Sequence, residues 1–167
     1  MNQPMPLNSS NDHANSSVAF SGWRSNLRLR ILCNIGAGLA GLILGGLANG
    51  AIIAGGAAAL PPPPGVDIND IVSINAHIGE YSVLQLSVPF AAHAMGTLIG
   101  AYIATLLALS QKLTIAMVIG VMFLVGGVMA VMMIPDCPLW FSALDLSVAY
   151  LPMGWLGWRM GCGPKRA

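Results

Sequence analysis

From Ile31 to Leu60 the chain runs without a charged residue, and that run leaves few folds open. It exceeds the roughly 20 residues a helix needs to cross a bilayer. A secretory signal has an apolar region of only about 7–15 residues. Ala57-Ala58-Ala59 looks like a small-residue cleavage site, but the run is about twice the length a signal requires. It therefore reads as an uncleaved helix that tilts, or unwinds near Gly55-Gly56. Along it Asn34, Gly38, Gly41, Gly45, Asn49, Ile52 and Gly56 follow steps of three and four. That spacing makes one small, polar face against which another helix can approach closely.

Composition closes off a water-soluble core. Of 167 residues 56% are hydrophobic and 8% charged, against roughly a quarter charged in an ordinary soluble domain. Three further apolar segments follow, so the expected fold is an all-α membrane protein. Its four-helix bundle has spans at about 31–58, 82–110, 113–134 and 139–158. Residues 1–22 are rich in Asn, Ser and Pro and read as a disordered cytoplasmic tail, leaving 23–167 as a single membrane domain. Pro61 to Pro64 form a stiff exit from the first span. In the loop that follows, Ile68, Ile71, Val72, Ile74, Asn75 and Ile78 suggest a short amphipathic helix on the membrane surface.

Arg24, Arg28 and Arg30, then Lys112, then Arg159, Lys165 and Arg166 fall on one side of that arrangement. The opposite loops hold Asp67, Asp70, Glu80 and Asp136 without Lys or Arg. The positive-inside rule places both termini in the cytoplasm. Trp140 on one side, and Trp155 with Trp158 on the other, suit the two aromatic belts. The partner implied is the lipid bilayer, with a homo-oligomer or larger membrane complex open. A net charge of +1 gives no ground for a nucleic-acid partner.

Polar residues inside the spans carry what functional signal there is. His93, Gly96 and Gly100 share a face of the second span. Counted at about 1.5 Å per residue, Asn49, His93 and Asp145 lie at similar depths on three different helices. An ionised aspartate in lipid costs about 2.5–3.5 kcal/mol or more, and pairing with His93, assisted by Asn49, would relieve it. Two uses of such a cluster compete. It is either interhelical glue or a protonation or ligand site, since histidine as a residue type changes charge near neutral pH. Gly38, Gly41, Gly45, Gly96 and Gly100 are the expected helix-packing positions.

Met133 and Cys137, spaced i, i+4, offer soft ligands for Cu(I), but methionine is ordinary filler in an apolar helix. No metal or cofactor is expected. Cys33, Cys137 and Cys162 are too few and scattered for a disulfide framework. No HExxH, GxSxG, P-loop or dinucleotide fingerprint occurs, and no enzymatic activity is expected.

The segment Pro89-Phe90-Ala91-Ala92-His93-Ala94-Met95-Gly96-Thr97-Leu98-Ile99-Gly100-Ala101, with Asp145-Leu146 and Ala149-Tyr150-Leu151-Pro152-Met153, resembles a family of small uncharacterised bacterial membrane proteins. Pro62-Pro63-Pro64-Gly65 is similar to a proline-glycine element of that family. The resemblance spans about 31–157 and implies a four-span inner-membrane protein, with no activity attached. Two functional expectations follow from these readings. The first is a structural or accessory membrane component packing through glycine-rich faces. The second is a small transporter or channel component with His93 and Asp145 lining its path and Asn49 assisting.

Overall fold

The computed structural model describes residues 26–163; the tail assigned to 1–22, and the flanking Trp23, Arg24, Lys165 and Arg166, lie outside them. The described chain is all-helical. α1 is Leu27–Ala59, α2 Ile71–His77, α3 Val83–Leu107, α4 Lys112–Met133, α5 Leu139–Val148 and α6 Leu151–Cys162. α1, α3 and α4 are each long and apolar enough to cross a membrane.

Local chemistry sets the ends of these helices. Asn26 caps α1 by accepting from the Arg28 amide at 3.1 Å. Ser82 and Gln85 form a reciprocal capping box at the start of α3, and Gln85 also donates to the Pro61 carbonyl at 2.6 Å, tying the proline exit to α3. α1 continues unbroken through Gly55-Gly56; the unwinding allowed for there does not occur.

The expected single helix at 139–158 is instead two, α5 and α6, broken at Ala149-Tyr150. Pro152 has no N–H to offer the Val148 carbonyl, so the hydrogen-bond ladder cannot cross that turn. Proline is tolerated in the first turn of the next helix, and α6 starts there.

α3 is the central helix: it packs most extensively on α1, then on α6 and α4. Backbones meet at glycines. A methyl added at Gly41 would lie 2.6 Å from the Gly100 carbonyl oxygen, and one at Gly45 2.6 Å from that of Gly96. On the other side of α3, Gly157 of α6 comes equally close to the Leu98 carbonyl. Four of the five expected packing glycines, Gly41, Gly45, Gly96 and Gly100, thus sit in the α1–α3 seam. Gly38 does not: an added methyl there meets only Ile115 of α4, at 3.9 Å.

The two ends differ in charge as expected. At one end Arg28, Arg30 and Arg159 flank α1 and α6, and Lys112 opens α4. Asn34 ties that end together, donating to the Ser110 hydroxyl at 2.9 Å and accepting from the Leu109 amide at 3.1 Å. At the other end the acidic loops meet, with Asn75 donating to Asp136 at 3.1 Å. The expected loop helix is present as α2, followed by a short 3-10 turn at Ile78–Glu80. Ile78 of that turn is buried against Leu86 and Phe141, with Ile74 of α2 packed beside them, while Ile68 and Val72 stay exposed, so α2 and the turn roof this end of the bundle through part of their apolar stripe.

Candidate functional site

His93 on α3 and Asp145 on α5 meet. His93 Nδ1 lies 3.0 Å from both carboxylate oxygens of Asp145. A carboxylate only accepts, so Nδ1 carries the proton in this contact. Asp145 is 3% exposed, and burial at that level requires the partners it has. The second of these is Tyr150, whose hydroxyl donates to Asp145 Oδ2 at 2.8 Å. The Tyr150 ring also stacks on the His93 imidazole, with centroids 5.8 Å apart.

Tyr150 escapes a reading based on helical spacing for a definite reason. Residues five apart on an α-helix point about 140° away from each other, so a continuous fourth helix would separate Asp145 from Tyr150. The break at Ala149-Tyr150 brings the two together. Pro152 was the available signal.

Gly127 of α4 makes room for the tyrosine. A methyl there would collide with the Tyr150 hydroxyl and ring, whereas one at Gly126 meets nothing within 4 Å. Gly127→Ala is therefore expected to push Tyr150 off Asp145 and lower stability by about 1–3 kcal/mol. Gly126→Ala should leave stability unchanged or raise it by up to about 1 kcal/mol through helix propensity. Thermal unfolding of both variants in one detergent checks the contrast.

Asn49 joins the site at its edge. It makes no hydrogen bond to His93 or Asp145, and its Oδ1 is buried without a partner. Its Cβ packs at the Gly96 position of the α1–α3 seam. The expected three-way polar contact is thus a His93–Asp145–Tyr150 cluster, with Asn49 beside it.

Two cavities meet at this cluster. One, of about 250 Å³, runs under the α2 roof and includes Ile78, Leu86, Val131, Phe141, His93 and Asp145 in its wall. The other, of about 420 Å³, lies toward the basic end between Gly46 and Asn49 of α1 and Met122 and Gly126 of α4. His93 and Gly127 belong to both walls. At the mouth of the first, outside the long apolar helices, burial holds the Tyr81 phenol above its ordinary pKa of 10.0.

The arrangement is an acid and a base, already paired, set between two mainly apolar spaces. It can hold or pass a proton and can present an imidazole nitrogen to a small molecule. Compared with protein-family models, with curated proteins and with solved structures, the chain matches none.

Proposed function

We propose that this chain is a four-span protein of the bacterial inner membrane, with both termini cytoplasmic, akin to the small bacterial family that its Pro89–Ala101 segment resembles. In this reading α5 and α6 together make the fourth crossing, and the protein is a small transporter or channel component with His93 and Asp145 as its protonatable site. One observation carries the reading: His93, paired to a buried carboxylate, belongs to the walls of two cavities on opposite sides of it. Ionisable groups inside membrane helices are expensive and mark ion and substrate paths.

Proton flux into proteoliposomes under an imposed pH gradient tests this. The wild-type protein should carry flux above empty vesicles, and Asp145→Asn should reduce it at least tenfold. Equal flux from the two proteins would sink the transporter reading.

The structural or accessory role has its own support. Gly36 and Gly50 have nothing within 4 Å, and Leu39, Ile43 and Leu47 between them are exposed, an apolar side of α1 on which another helix could pack. Co-purification with a fixed stoichiometric partner, and no flux, would favour that role.

A further inference from the structure

Resting on the reading of His93 and Asp145 as a functional site, we infer that the cleft between α1 and α4 binds a neutral, apolar molecule bearing one hydroxyl group, which hydrogen-bonds to His93 Nε2.

The shape of the cleft comes first. α1 and α4 meet at few points although both pack on α3, and the two cavities lie in succession along the gap between them. Their α1 wall extends from Leu42 to Ala57, about 22 Å at the helical rise of 1.5 Å per residue. The flanking surfaces are exposed and apolar: Ile43 and Leu47 on α1, Met122, Val125 and Met129 on α4. In a bilayer the rim of the cleft is lipid, and a molecule dissolved in the bilayer has direct access.

Charge decides the kind of molecule. Among the described residues Asp145 is the only Asp, Glu, Lys or Arg in either wall, and its carboxylate is already engaged by His93 and Tyr150. A cation would have to displace those partners, and an anion would face the carboxylate with no free positive group to offset it. A neutral ligand meets neither penalty.

The imidazole decides its functional group. Nδ1 is committed to Asp145, so in the neutral imidazole the proton sits on Nδ1 and Nε2 is the acceptor. Nε2 makes no hydrogen bond to a described residue, and the His93 side chain keeps 22% of its surface exposed in the walls of both cavities. An acceptor in an apolar space selects a donor, and a single hydroxyl is a compact neutral donor that an apolar body can carry without the far larger cost of burying a charge. The stacked Tyr150 ring holds the imidazole plane in place from the lower side.

The test compares para-hexylphenol with its methyl ether, which keeps the apolar body and loses the donor. Binding of each to the full-length protein in lipid nanodiscs is measured by equilibrium dialysis. The phenol should bind wild type roughly tenfold more tightly than the ether, the difference one hydrogen bond supplies at the upper end of its range. In His93→Ala the two should bind alike. Ala57→Trp, which fills the upper cavity away from the polar cluster, should weaken both. Equal binding of phenol and ether to wild type overturns the inference without reference to any variant, and so does undiminished binding of both to Ala57→Trp. This readout is independent of flux. Phenol selectivity without proton flux removes the transporter reading and keeps the site, whereas Asp145-dependent flux without phenol selectivity does the reverse.

Discussion

Gly41→Leu or Gly45→Leu should abolish the folded bundle or destabilise it by about 3 kcal/mol or more. At both positions the space a side chain would need is filled by the carbonyl oxygen of a facing helix, Gly100 or Gly96, 2.6 Å from the first added carbon. Backbone cannot rotate aside as a side chain can. α1 and α3 would have to separate along the most extensive helix contact among the described residues, and in a bilayer lipid would offer no hydrophobic drive to bring them back. Gly50→Leu, on the same helix with nothing within 4 Å, is the matched control and should leave stability unchanged or raise it by up to about 1 kcal/mol. Unfolding in mixed detergent micelles, followed by circular dichroism, separates the two cases. A Gly41→Leu protein as stable as Gly50→Leu would mean that α1 does not lie against α3 through this seam.

The second large effect is expected at Asp145. Asp145→Ala removes the acceptor of the Tyr150 hydroxyl, in a residue only 1% exposed, and the partner of His93. Stranding a buried hydroxyl costs about 1–3 kcal/mol, and losing the imidazole contact adds on the order of 0.6 kcal/mol, the average for a hydrogen bond inside a membrane. The expected total is about 1.5–3.5 kcal/mol. Asp145→Asn keeps the shape and an acceptor for Tyr150, so it should lose about 1 kcal/mol or less. In a cycle with His93→Ala the double variant should fall short of the sum of the singles by at least about 0.5 kcal/mol. Full additivity would show that the two side chains do not interact in the folded protein.

Much of this arrangement is legible in the residues, and what escapes does so for nameable reasons. Apolar runs and the distribution of Arg and Lys need no tertiary information, because bilayer thickness and membrane orientation act on the chain one segment at a time. The His93–Asp145 contact is legible because both residues are costly in lipid and lie at matching depths. Depth does not specify direction around the helix axis, and that is why Asn49 falls beside the pair instead of bonding to it. Gly38 shares a stripe with Gly41 and Gly45, but its nearest neighbour is Ile115 of α4; sequence spacing does not say where along a stripe one neighbour gives way to another. Tyr150 is not legible because an unbroken helix from Leu139 to Trp158 would turn it away from Asp145.

That break has a mechanical consequence. α6 is held along its length by close approaches at Gly154, Gly157 and Gly161 to α3 and α4, while α5 touches those helices at few points. The α5–α6 arm is therefore anchored by backbone contact in one half and by side chains, Phe141 and Asp145 among them, in the other. Asp145 sits on the side-chain-held half and Tyr150 at the joint, so the hydrogen bond between them ties the two halves of the arm together.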